Sequence, residues 1–366
     1  MNDILKHHLK NIIGRRTKRK LVAFSVDDYG SVRLASKKAK DNLISSGVVL
    51  TNRFDNLDTL ETDEDLSALF DVLAKHKDAK GNYACFTPIA LCANINFSAL
   101  LESSDTKYIY EPLDVTYSKR EENKNTLELI KEGVREKLFV PEFHGREHLN
   151  IRVFEKKLRE KDIVLLENIR NESFAGIGDS GIPNIHYPSA FSFERIQENT
   201  DLIEIAKDGL KLFEKIYGYR AKFFNAPNGN ESRIIHQTLN ECGIKYVDKK
   251  RFNKEHLGDG RYKTEFYYSG KKNKHNQTYI VKNCVFEPND YRGFDWVNNV
   301  VKQMEAAFFW HQPVIISSHR VNFCGQIDES NRRNSLLQLD CLLQRILKKW
   351  PDVEFVTMSE IGDEVS

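Results

Sequence analysis

The stretch Leu21-Val-Ala-Phe-Ser-Val-Asp-Asp-Tyr-Gly30 sets an apolar β-strand directly against two adjacent carboxylates. Parallel α/β folds gather their catalytic groups where the strands end, so Asp27 and Asp28 stand where a barrel would carry out chemistry. Two neighbouring carboxylates repel each other unless a cation or a proton intervenes, which suits a metal ligand beside a general base. The same residues also read as an Asp-Tyr-Gly turn in which an aspartate caps a helix.

Outward from that strand, short β-branched or aromatic runs recur at Val48 to Phe54, Tyr83 to Thr87, Leu138 to Phe143, Ala221 to Asn225, Lys245 to Val247, Val314 to Ser318 and Val353 to Met358. Helical patterns fall between them. From Asp201 to Tyr217, apolar residues recur at helical spacing and Gly218 supplies a stop; Ile234 to Cys242 stops at Gly243, and Leu336 to Lys348 stops before Pro351. The rhythm predicts an α/β fold: a single (β/α) barrel of TIM-like type, distorted, with seven or eight strands, and a doubly wound open sheet as the rival. Thr278 to Phe286 reads as a further strand, and Asn171 to Phe191 as a long surface loop that could cover a cleft. No repeat or long linker divides the chain. Residues 1–20 are read as a basic N-terminal extension and residues 21–366 as one barrel domain.

Charge is nearly balanced, with 55 basic and 53 acidic residues interspersed, so no broad field attracts nucleic acid. No apolar run is long enough for a transmembrane segment. The N-terminus has charged residues every few positions rather than a signal's apolar core, which places the expected location in the cytoplasm. Six scattered cysteines without a CxxC pair read as free thiols. The basic cluster from Lys6 to Lys20 follows an amphipathic stretch containing Ile4, Leu9, Ile12 and Ile13; it reads as a solvated helix or as peripheral contact with an anionic membrane.

Three further features follow strand-like runs. His144-Gly-Arg-Glu-His148 brings two imidazoles to a spacing at which both can meet one ion, and Asp28 would complete a three-ligand site open to water. His319 ends Pro-Val-Ile-Ile-Ser-Ser-His, and Phe223-Phe-Asn-Ala-Pro-Asn-Gly229 runs from a strand into a turn. Each alone is also an ordinary structural feature. Together, at strand ends, they supply one carboxylate and two histidines for an ion, with a second carboxylate and a third histidine left as base and acid.

In this order the motifs resemble those of the NodB-homology polysaccharide deacetylases, carbohydrate esterase family 4, within the glycoside hydrolase/deacetylase barrel superfamily. Asp28-Tyr29-Gly30 is also similar to the opening motif of YdjC-type deacetylases. The resemblance implies a metal-dependent carbohydrate deacetylase that hydrolyses an N-acetyl or O-acetyl group of a sugar or oligosaccharide. It implies Asp27 as general base, His319 as general acid, and Asp28, His144 and His148 as ligands of a divalent metal, zinc by ligand type. Asn225, Pro227 and Asn228 match a degenerate Arg-x-Pro motif, with the backbone N–H of Asn228 as a donor to the oxyanion. Asn225 replaces the family's arginine, so Arg146 or Arg320 is the expected substitute beside Asp27. Gly145 replaces a hydroxyl residue, which leaves the second imidazole without an orienting bond. Asp248 reads as an orienting partner of His319 or as a surface-loop aspartate. Tyr29, Tyr187, Phe191 and Trp296 are candidates to stack on sugar faces. The alternatives are a non-catalytic carbohydrate-binding relative and a metal-independent glycoside hydrolase of the same superfamily.

Overall fold

Among the described residues, 3–103, 105–290 and 293–366 of a computed structural model, nine strands run parallel in one sheet. They are β1 (Lys20–Tyr29), β2 (Phe86–Leu91), β3 (Glu142–Gly145), β4 (Phe223–Phe224), β5 (Tyr246–Asp248), β6 (Thr278–Ile280), β7 (Cys284–Val285), β8 (Val314–His319) and β9 (Val353–Phe355). The order is β6-β5-β4-β3-β2-β1-β8-β7, with β9 paired to the start of β1. The two edge strands, β6 and β7, are consecutive in the chain and only residues 281–283 separate them. One extended segment therefore pairs with β5 by its first half and with β8 by its second, and it closes the sheet into a distorted (β/α) barrel of seven staves.

Strand alternation sorts the core. Leu21, Ala23, Ile89, Phe223, Tyr246, Ile280 and Ile315 point into the barrel and form one buried cluster with Val356, Met358, Ile361 and Val365. The intervening Val22, Phe24, Val26, Phe143, Phe224, Val247 and Ile316 face outward and pack with the surrounding helices. The last helix, Met358–Val365, thus plugs the end of the barrel where the strands begin. Thr357 starts that helix through a capping box with Glu360, which ends β9 at Phe355 although the apolar run continues to Met358.

Other predicted strands shift for similar reasons. Val48 to Phe54 is not a strand: the Asn52 side chain accepts the Asp55 N–H and starts a helix at Arg53–Leu57, and Val49 is exposed. Leu138 to Phe143 pairs as a ladder only from Glu142, just past Pro141, which has no N–H to donate. The helices Asn199–Tyr217 and Ile235–Glu241 match the predicted ones, and Gly218 ends the first with φ 80°; the helix predicted from Leu336 begins earlier, at Glu329, where the Asp328 side chain accepts the Ser330 N–H, and ends at Lys349. The long segment around residues 171–191 is a loop, yet it sinks Phe174, Tyr187 and Phe191 into the core. All six cysteines are free. No described helix is long and apolar enough to cross a membrane.

Candidate active site

Period-two alternation in β1 carries Asp27 inward at the mouth of the barrel and would turn Asp28 the other way. The backbone breaks that rule locally. The register of β1 against β2 shifts between Val26 and Tyr29, and Asp28 takes φ 81°, so that both carboxylates reach the mouth. A left-handed non-glycine residue costs about 1–3 kcal/mol and persists only where its surroundings fix it. Here the following Gly30, φ 82°, donates its N–H to both oxygens of Glu61 at 3.0 and 3.1 Å. A Cβ at Gly30 would lie 2.7 Å from the Leu91 carbonyl oxygen. Glu61 is held in turn by the Tyr117 hydroxyl and by Arg320, whose guanidinium also pairs with Asp58.

Asp28 meets the two predicted imidazoles. His144 Nε2 and His148 Nε2 lie 3.4 and 3.1 Å from Asp28 Oδ1, and one donor atom from each of the three residues lies within 4.8 Å of the others. Donors about 2.0–2.2 Å from a tetrahedral ion sit roughly 3.3–3.5 Å apart, so the two carboxylate–imidazole distances suit joint coordination of one ion. His144 Nδ1 donates to the Asn225 carbonyl at 2.6 Å, which leaves the Nε2 lone pair free; that nitrogen is buried without a hydrogen-bond partner among the described residues. His148 Nδ1 is likewise buried and unpartnered, as expected with glycine at 145. Gly145 has φ 147°, and a Cβ there would crowd Phe191 at 3.2 Å. Burial opposes the charged form of Asp28, but His148 and His144 hold its carboxyl well below the usual range.

The base and acid candidates flank this triad. Asp27 and His319 are paired across β1 and β8. The expected cation beside Asp27 is neither Arg146 nor Arg320. Arg146 is bonded to Glu147 and Asp208 and lies over Tyr110, while Arg320 is the buried brace of Asp58 and Glu61. Lys282 takes the place instead, with Nζ 2.9 Å from both Asp27 oxygens, and Asn225 donates to Oδ2 at 2.9 Å. Burial disfavours the Lys282 ammonium, yet Asp27 and Asp248 raise its pKa. Asn225 therefore joins the two halves of the site: its side chain holds Asp27 and its carbonyl holds His144.

His319 Nδ1 bonds to Glu287 at 2.7 Å, not to Asp248. Burial works against the imidazolium, but Glu287 outweighs it and the pKa rises to about 9. Arg53 and Asn322 fix the other oxygen of Glu287 at 2.6 and 2.7 Å. Asp248 is no surface-loop residue; it is largely buried 3.8 Å from Lys282, and its pKa is pushed up to about 6, by burial first and then by Asp27 and Glu231.

Sequence reading missed Lys282 and Glu287. The available signals were a lysine inside the apolar run from Thr278 to Phe286 and a glutamate directly after it. The four proposed stacking aromatics are spent elsewhere: Tyr29 packs on Phe139, Tyr187 on Phe174, Phe191 on Phe224 and Trp296 on Phe294, and all are buried. Pro227 is buried in the turn Pro227–Gly229. Asn228, at φ 60°, is exposed there and bonds through its side chain to Ser189 at 2.7 Å. An open cavity of about 660 Å³, lined by residues 177–188 and Asn228, adjoins that turn but contains none of the triad, Asp27 or His319.

No protein-family model matches the chain, and no curated protein matches its sequence. Among solved structures it is similar to a 4-alpha-glucanotransferase of Thermococcus litoralis, at 10% identity and TM-score 0.47, over 94% of this chain but only 40% of that one. It is similar to the Xyl-CE4 domain of a multidomain xylanase from the hindgut metagenome of Trinervitermes trinervoides, at 11% identity and TM-score 0.40, over 95% of this chain and 91% of that one. A protein of Pseudomonas aeruginosa PAO1 classed with the polysaccharide deacetylases matches at 10% identity and TM-score 0.46, over 94% of this chain and 91% of that one.

Proposed function

We propose that the chain is a metal-dependent hydrolase that removes acetyl groups from a sugar or oligosaccharide, with the barrel over residues 21–366 as its catalytic unit. The observation that carries this reading is the convergence of Asp28, His144 and His148 within 4.8 Å at the barrel mouth, flanked by Asp27 and His319. A divalent ion held by that triad, zinc by its donor set, would supply a Lewis acid for the acetyl carbonyl and lower the pKa of the attacking water. Asp27, fixed by Lys282 and Asn225, takes the water's proton. His319, its Nδ1 tied to Glu287, keeps a proton on Nε2 for the leaving amine. We assign the backbone N–H of Asn228 as a second donor to the oxyanion.

The choice of an acetylated sugar rests on the ordered motifs, since the candidate aromatic platforms are buried. The free thiols fit a reducing compartment, and a cytoplasmic location is part of the proposal. The missing arginine at Asn225 and the missing hydroxyl residue at Gly145 favour a non-catalytic relative; Lys282 in contact with Asp27 weighs against it. The test is acetate release from N-acetylated oligosaccharides with and without a chelator. The expected result is turnover that chelation abolishes and zinc restores. Chelator-insensitive glycosidic cleavage would overturn the proposal in favour of a metal-independent glycoside hydrolase.

A further inference from the structure

Residues 3–20 carry seven Lys and Arg against one Asp, in a chain whose net charge is +2, so the rest of the molecule is net acidic. Lys10, Arg15, Arg16 and Lys18 from this segment are exposed, and none makes an ion pair among the described residues. The same corner exposes Leu5, Leu9, Ile12, Ile13 and Phe309, at 50, 47, 39, 48 and 67%. Leu5 and Leu9 lie four residues apart on the helix Asp3–Leu9 and share a face, and Ile12 and Ile13 follow in the bend just beyond it.

The segment is not a loose tail. His8 packs edge-on against Phe309 at 5.2 Å and accepts the Trp310 indole N–H at 3.2 Å. Asn283 donates to the Asn11 side chain at 2.9 Å, and the Arg15 N–H donates to Ser269 at 2.8 Å. The backbone is fastened while the apolar and cationic side chains face water. Phe309 ends the helix Trp296–Phe309, just ahead of β8, so the patch lies where the strands begin, opposite the mouth that holds Asp27, Asp28 and His319.

We propose that this corner docks on an anionic lipid surface, with the five apolar side chains entering the headgroup boundary and the four unpaired cations meeting lipid phosphates. Adjacent apolar and basic side chains match that surface on both counts. A second copy would bring like charge against like charge, and nucleic acid would leave the apolar side chains in water. Docked in this way, the barrel mouth faces away from the lipid.

The test is co-flotation of the full chain with vesicles of phosphatidylcholine alone or with about 30% phosphatidylglycerol, at low and high salt. The expected result is binding to the anionic vesicles that falls at least tenfold in high salt and at least tenfold with Leu9→Glu/Ile12→Glu or Arg15→Ala/Arg16→Ala, each variant melting like the parent. Equal binding to both vesicle types, no binding to either, or binding unchanged in the variants would overturn it. Concentration-dependent dimerisation abolished by Leu9→Glu/Ile12→Glu would assign the face to a second copy and also overturn it.

Discussion

Lys282 places its ammonium 2.9 Å from both oxygens of Asp27, so removing it strips the proposed base of its charge partner while leaving the proposed metal triad untouched. Lys282→Met is expected to lower kcat/KM for acetate release about a hundredfold or more, the scale of a general acid–base contribution, with metal content unchanged and Lys282→Arg recovering much of the loss. Full activity in the methionine variant would remove Lys282 from the site. Glu287 acts on the other side. Its carboxylate outweighs burial in keeping His319 protonated, so Glu287→Gln should move the alkaline limb of the rate–pH profile to lower pH as well as reduce kcat. At this scale the sequence was legible where a motif is contiguous. Asp27, Asp28, His144, His148 and His319 could be read from strand ends. Lys282 and Glu287 lie on the stave that closes the barrel, and nothing local distinguishes them until that closure is known. The buried stacking aromatics show the converse: Tyr187 and Phe191 sit in a Gly/Ser/Pro-rich loop that looks solvated in sequence but packs into the core.

The elements that position the site are short, and their limits depend on capping rather than on apolar patterning. Long periodic helices such as Asn199–Tyr217 are readable because many residues repeat the signal. The runs that hold the two-residue strand β4 and the split stave β6/β7, Ala221 to Asn225 and Thr278 to Phe286, are readable as strands, but their limits and pairing are not, since their partners lie far away in sequence. The helix Met358–Val365 is the clearest case of a role set by tertiary context: it begins inside an apparent strand and fills the barrel floor. Ile361 is fully buried there among Leu21, Ile89 and Ile315. Ile361→Ala should cost about 2–5 kcal/mol, measured by urea unfolding. A loss below about 0.5 kcal/mol would show that the helix does not seal the barrel.

For the molecule as a whole, the barrel interior runs from an apolar floor to a charged mouth, with Glu142 between them. Burial pushes its carboxyl up to about 7, although Ser359 and the Phe223 and Lys222 N–H groups favour the ion. A carboxyl whose folded pKa is raised contributes stability that is fully present below its ordinary value and is lost as pH rises through the folded one. Stability should therefore fall between about pH 4.5 and pH 7, and Glu142→Gln should recover up to about 3 kcal/mol at pH 8 relative to the parent, with little difference at pH 4. Urea titrations at the two pH values check the sign. The barrel itself was legible from the alternation of strands and helices; its closure by one split stave was not. The central claim is that Asp28, His144 and His148 bind one ion. Zinc content of the purified chain, measured by mass spectrometry after reconstitution and desalting, should be about one per chain in the parent and in Asp27→Asn, and near zero in Asp28→Ala and His144→Ala. Parent protein that retains no zinc, or zinc retained equally in all four proteins, would contradict it.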